Sequence, residues 1–208
     1  MKRKNQYSFK RIFMKYKIRK FEQNLIDISI PEKILFLNNS KNLVLDLGCG
    51  EGEFILNLAK QDSDSHFIGI EIKYGRILKC LKSLAKLNLK NINFILGDAT
   101  LILSQFVQKG STKRFYINNP DPWPKDKHGK NRIINSVFLN HIFDLLSHKG
   151  DLVIKSDDLN YINLIRTEVQ KSKFKTTLDY NEKLPSTKFQ TSYAMKRIPI
   201  HTVYSKKN

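Results

Sequence analysis

The sequence predicts a Rossmann-like α/β fold: a mainly parallel sheet of about seven strands, antiparallel at one edge, with helices on both faces. Three observations predict it. Short apolar runs alternate with helix-period segments from Leu43 to Gln170, which is the pattern of βαβ units. A glycine turn, Gly48-Cys49-Gly50-Glu51-Gly52, carries the first apolar run into the first helix. Acidic residues, Asp46, Glu71 and Asp98, stand at the ends of three successive strands and so at one edge of the sheet.

Taken in order, residues 1–20 hold nine Lys/Arg and no acid, and form a basic arm ahead of a single body spanning 21–208. A short helix is expected within 22–38. Leu43 to Leu47 reads as a buried strand, and Gly52 to Lys60 as a helix. Phe67 to Ile70 is a strand and Gly75 to Asn88 an amphipathic helix. Ile92 to Leu96 is a strand and Leu101 to Val107 a short helix. Residues 109–114, Lys-Gly-Ser-Thr-Lys-Arg, read as a surface loop before the strand Phe115 to Ile117. A helix over Asn135 to Ser147, a strand over Leu152 to Lys155 and a helix over Asp158 to Gln170 follow. Two further strands, Phe174 to Leu178 and Pro199 to Tyr204, are joined closely enough to pair antiparallel.

The 208 residues fit one domain, 1–208, with a substantial core. No apolar run approaches the roughly 20 residues of a membrane span. The basic start lacks the apolar stretch of a signal peptide, and its single serine and few arginines disfavour a transit peptide. Cys49 and Cys80 make no metal-type or CxxC spacing and the five histidines are scattered, so a reduced, cytoplasmic protein without a metal is expected. Thirty-seven Lys/Arg against 19 Asp/Glu give a net charge of +18. That excess points to a polyanionic partner, nucleic acid rather than membrane, since no long basic amphipathic helix stands out. The plainer reading is a lysine-rich composition with solvated side chains. Monomer and homodimer are equally compatible with the chain.

The glycine turn is spaced GxGxG, not GxGxxG as in dinucleotide binders. Asp46, two residues before Gly48, would repel a phosphate but favour an ammonium or sulfonium. Glu71 lies 19 residues after Gly52, near the spacing at which an acid takes ribose hydroxyls. Asp98, in Gly97-Asp98-Ala99, is placed to accept from an adenine amino group, although alone it is most simply a helix cap. Together these acids favour S-adenosylmethionine over a nicotinamide cofactor or a nucleoside triphosphate.

The most informative stretch is Asn118-Asn119-Pro120-Asp121-Pro122-Trp123-Pro124-Lys125. Three prolines in eight residues exclude a helix interior or a central strand. A rigid loop bearing a carboxylate, an indole and two amides therefore follows a buried strand, at the edge where open α/β sheets bind ligands. Trp123 is expected to buttress the loop, with stacking on a base as the second reading.

With Asp46-Leu47-Gly48-Cys49-Gly50, Phe67-Ile68-Gly69-Ile70-Glu71, Gly97-Asp98-Ala99, Pro120 to Lys125, His128 and Thr187-Lys188-Phe189, the chain from about Leu43 onward resembles the bacterial tRNA (guanine-N7)-methyltransferases. The proline loop with its downstream Thr-Lys-Phe is the specific part; the glycine turn and Gly-Asp-Ala occur in many methyltransferases. The resemblance implies a single class I methyltransferase domain forming 7-methylguanine at guanine 46 of the tRNA variable loop. It implies Asp121 as the catalytic residue. It places Asp46, Gly48, Gly50, Glu71, Asp98, Ala99 and Asp121 at the cofactor, and Lys125, Asp157, Thr187, Lys188, Phe189 and Gln190 at the substrate. Lys127, His128, Lys130 and Arg132 would meet RNA. The chain departs from the family in having Asn119 where Phe is usual, Gln190 where Glu is usual, and Ser156 before Asp157 where Thr is usual.

The chemistry is consistent with that. Guanine N7 has an in-plane lone pair and needs no base, so positioning is the main task. A carboxylate such as Asp121 could pair with the guanine N–H edge and stabilise the cationic product. Two rival readings fit the same residues. An amino-methyltransferase would use Asn118 or Asn119 to accept from an exocyclic amine. A non-catalytic RNA-binding subunit should have lost the cofactor residues, all of which are present.

Overall fold

A computed structural model describes residues 24–27, 42–123, 132–180, 182–185, 187 and 198–207. Six strands are described: β1 (Leu43–Leu47), β2 (His66–Glu71), β3 (Ile92–Leu96), β4 (Thr112–Asn118), β5 (Leu146–Ser156) and β6 (His201–Lys206). They form one sheet in the order β3-β2-β1-β4-β5-β6, parallel throughout except that β6 runs antiparallel to β5. Five helices are described: α1 (Glu53–Gln61), α2 (Tyr74–Leu84), α3 (Ala99–Phe106), α4 (Ser136–Leu145) and α5 (Leu159–Lys171). The first two pack with Phe54, Ile55, Ile77 and Leu81 on one face of the sheet. The other three pack with Leu103, Leu139 and Ile165 on the opposite face.

Local chemistry explains the helix starts. Asp98, Asn135 and Asp158 are N-caps whose Oδ1 atoms accept from the backbone N–H of Leu101, Phe138 and Tyr161 at 3.0, 3.0 and 2.9 Å. α1 begins instead at Gly52, held at φ +84°, a conformation glycine adopts without Cβ strain.

Two expectations need correction. Residues 112–114 are strand, not loop. Thr112 is fully buried and Arg114 is matched by acids across the sheet: its Nη2 donates to Asp151 Oδ2 at 2.7 Å and to Glu182 Oε1 at 2.8 Å. A polar run reads as a loop until its partners, 37 and 68 residues away, are in place. Residues 174–178 do not form a seventh strand; only Leu178 makes an isolated antiparallel bridge, to Tyr204. The short helix expected within 22–38 falls mostly outside the described residues; of that span only 24–27 are described, and they are not helical. Leu25 bridges Phe94 in parallel, and Leu25 and Ile26 alternate into the two apolar layers as strand residues do. The basic arm, 1–20, lies outside the described residues.

Gly69 in β2 shows how tightly the layer beneath the glycine turn is packed. A Cβ there would stand 2.8 Å from both Cys49 Sγ and the Phe94 ring. Gly69→Ala is therefore expected to destabilise the protein by about 1–3 kcal/mol, as overpacking does, and a lowered urea midpoint would show it.

Candidate active site

β1 and β4 are neighbours whose connections run to opposite sides, so the sheet has its topological switch point between their C-terminal ends. Two cavities open there, of about 640 and 300 Å³. Their shared wall includes Gly48, Arg76 and the run from Asn118 to Asp121. The larger cavity adds Asp46, Gly50, Phe54, Asp157 and Thr187; the smaller adds Glu71, Asp98, Ala99 and Trp123. The glycine turn, the acidic strand ends and the proline loop thus meet in one place.

Asp46 is the buried end of the site, 1% exposed. Burial lifts its pKa to about 7; the Asn118 amide, donating from Nδ2 to Oδ1 at 3.3 Å, opposes the rise, Glu71 adds to it, and Lys155 draws it down. Lys155 was not singled out from sequence. It is buried at the end of β5 with its ammonium 5.4 Å from the centre of the Phe54 ring. Burial lowers its pKa to about 8, with Asp46 pulling the other way. The available signal was a lysine ending the apolar run Leu-Val-Ile before Ser156-Asp157.

Glu71, 4% exposed, is held from two sides. The Lys73 N–H donates to Oε1 at 2.8 Å and Arg76 Nη1 donates to Oε2 at 3.2 Å. Each carboxylate oxygen keeps a lone pair for a further donor, such as a ribose hydroxyl. Asp98 serves as both cap and cavity wall, with only Oδ1 used by the cap. The two cysteines lie under the turn, both free and buried, and Cys80 Sγ donates to the Gly50 carbonyl at 3.3 Å.

The loop leaves β4 through Asn119, whose N–H donates to the Lys155 carbonyl at 2.7 Å. Asn119 has φ +49°, a left-handed conformation that asparagine tolerates better than phenylalanine, and this gives the departure from the family pattern a backbone reason. Both polar atoms of its amide are buried without a partner among the described residues. Asp121 is exposed to the cavities. Trp123 is not the buried buttress expected: it is 37% exposed, lines the smaller cavity and has φ +43°, strain on the order of 1–3 kcal/mol for a bulky side chain. Arg132 turns inward, donating from Nε to the Pro122 carbonyl at 2.8 Å and from Nη2 to the Trp123 carbonyl at 2.9 Å. Lys125, Lys127, His128, Lys130, Lys188, Phe189 and Gln190 lie outside the described residues.

The donor set suits a cationic ligand. A Cβ at Gly48 or Gly50 would meet nothing within 4 Å, so the turn faces open space, and the cavity walls carry Asp46, Glu71, Asp98 and Asp121. A triphosphate would be repelled; S-adenosylmethionine, with its ammonium and sulfonium, is matched.

A family model described as "Putative methyltransferase" matches residues 40–201. The chain is 35% identical over 164 residues to a tRNA (guanine-N(7)-)-methyltransferase of Buchnera aphidicola subsp. Baizongia pistaciae, over 79% of this chain and 67% of that one. A protein of the same name from Prochlorococcus marinus (strain NATL1A) is 34% identical over 155 residues, 73% of this chain and 72% of that one. The chain belongs to the bacterial tRNA (guanine-N7)-methyltransferase family. Its cofactor is S-adenosylmethionine. The 16S rRNA methyltransferase KamB superposes on this methyltransferase with a TM-score of 0.63, over 88% of this chain and 94% of KamB, at 11% identity. At that identity the likeness is one of class I methyltransferase fold alone.

Proposed function

We propose that this methyltransferase moves the methyl group of S-adenosylmethionine to N7 of guanine 46 in the variable loop of tRNA, in the cytoplasm. The observation that carries the reading is Asp121, displayed on a proline-framed loop at the wall shared by both cavities. The names of the relatives support the substrate.

Asp46, beside the open turn at Gly48 and Gly50, takes the cofactor's ammonium; Glu71 takes the ribose hydroxyls; Asp98 and Ala99 border the adenine. Bound there, S-adenosylmethionine supplies an electrophilic methyl on sulfur. Asp121 would accept from the guanine N–H edge, hold N7 toward the methyl group, and balance the positive charge that the purine gains. No proton leaves N7, so Asp121 acts as a clamp rather than a base. Asp157 and Thr187 line the larger cavity, with Lys125 and Lys188 to Gln190 completing the substrate side and Lys127, His128 and Lys130 meeting the RNA. In the amino-methyltransferase reading the acceptor would be Oδ1 of Asn118 or Asn119; both are buried with no partner among the described residues, and the product decides between the two readings.

Labelled cofactor and unmodified tRNA, followed by digestion to nucleosides, tests the reading: 7-methylguanosine is expected, and N6-methyladenosine would overturn it. With about five phosphates contacted, log Kd for tRNA should change with log salt by roughly 4. A flat response would remove the basic surface from the binding face.

A further inference from the structure

The four residues around Asp121 have an unusual backbone. Pro120 and Pro122 carry no N–H, and Asn119 and Trp123 at the two ends both sit at positive φ. A bulky residue stays in that conformation only where its surroundings over-determine it. One such constraint is Arg132. Its guanidinium spans the carbonyls of Pro122 and Trp123 at 2.8 and 2.9 Å, and its Cζ lies 6.0 Å from the centre of the Tyr161 ring. Tyr161 is itself buried in the first turn of α5, where its N–H is held by the cap Asp158, a wall of the larger cavity.

We propose that Arg132 is a positioning residue for Asp121: it holds the carbonyls of Pro122 and Trp123 and fixes that end of the loop against α5, rather than binding RNA phosphate. The role needs a guanidinium. Its rigid fork places two N–H groups on two carbonyls at once while the flat face rests over an aromatic ring, and an ammonium does neither. A shift of about 1 Å in a group that orients the substrate is worth on the order of 100-fold in rate.

The inference rests on the reading of Asp121 as the guanine clamp. The test compares Arg132→Lys and Arg132→Ala in the full chain, each checked for its melting temperature, for kcat and KM on tRNA, and for tRNA affinity across a salt series. The expected result is that Arg132→Lys, which keeps the charge, lowers kcat nearly as far as Arg132→Ala, about 100-fold. The salt slope of tRNA binding should stay unchanged in both. In the Asp121→Ala background, Arg132→Lys should add little. Recovery of kcat by lysine, or a salt slope lowered by roughly 0.7–0.9 in Arg132→Ala, would make Arg132 a phosphate contact and overturn the proposal. Should alanine prevent folding, the lysine variant decides alone. A wild-type product other than 7-methylguanosine would instead sink the functional reading, whatever the Arg132 variants do.

Discussion

Asp121→Ala is expected to lower turnover by about 100- to 1,000-fold, the range seen when one pre-aimed electrostatic group is removed from a reacting centre. Affinity for S-adenosylmethionine should change little, because the buried acids proposed to hold that ligand, Asp46 and Glu71, lie on other strands. Asp121→Asn separates two roles. It keeps an acceptor for the guanine N–H edge but removes the charge that balances the methylated purine, so it should recover binding more than turnover. Asp121 is exposed, and its replacement should leave the melting temperature nearly unchanged. Calorimetry with the cofactor, set beside single-turnover methyl transfer, reads both effects. Turnover unchanged in the alanine variant would contradict the assigned role.

Asp46→Asn is the second large effect, and it should act in opposite directions on affinity and stability. The folded protein holds Asp46 at a pKa near 7, above its ordinary value of 3.8, because burial disfavours the charged form. A folded-state pKa raised in this way means that the native protein keeps a proton the unfolded chain releases. The stability it contributes is complete below about pH 4 and is lost as pH rises through 7. Without cofactor the protein should thus be less stable at pH 8 than at pH 6 on this residue's account, by roughly 1.4 kcal/mol, and melt correspondingly lower. Asp46→Asn should raise the melting temperature of the cofactor-free protein at pH 8. It should also weaken S-adenosylmethionine binding by about 30-fold or more, since one partner of a buried charge pair is gone. In the wild type an ammonium favours the ionised carboxylate, so affinity should climb as pH rises through about 7. It should decline above about 8 as the cofactor's amine loses its proton. Affinity independent of pH from 6 to 8 would detach Asp46 from the ammonium.

The parts of this molecule that were legible in sequence are those set by local chemistry. Leu43–Leu47 and Ile92–Leu96 are apolar runs bounded by turns, and their limits match the strands found. Asp98 and Asp158 announce helix starts because a cap bonds within three residues. The proline loop could be read as rigid because proline restricts φ wherever it stands. What escaped depends on partners distant in the chain. Thr112 to Arg114 look like a loop until Asp151 and Glu182 neutralise the arginine. Lys155 looks like an ordinary strand end until β1 and α1 bring Asp46 and Phe54 against it. Arg132 sits in a basic run that invites an RNA reading, and only its approach to the Pro122 and Trp123 carbonyls shows what its fork holds. Trp123 misled for a related reason: prolines beside it suggested packing, whereas positive φ turns it toward the smaller cavity.

The most direct test of the central claim replaces the guanine at position 46 of an otherwise unmodified tRNA with 7-deazaguanine, which keeps the Watson–Crick edge and removes only the nucleophilic nitrogen. Methyl transfer from labelled S-adenosylmethionine, mapped by mass spectrometry of nuclease fragments, should place one methyl on guanine 46 in the normal tRNA. It should place none in the substituted one, although the substituted tRNA still binds. Methyl incorporation that persists in the 7-deazaguanine tRNA, or that maps to another nucleotide in the normal one, would contradict the account.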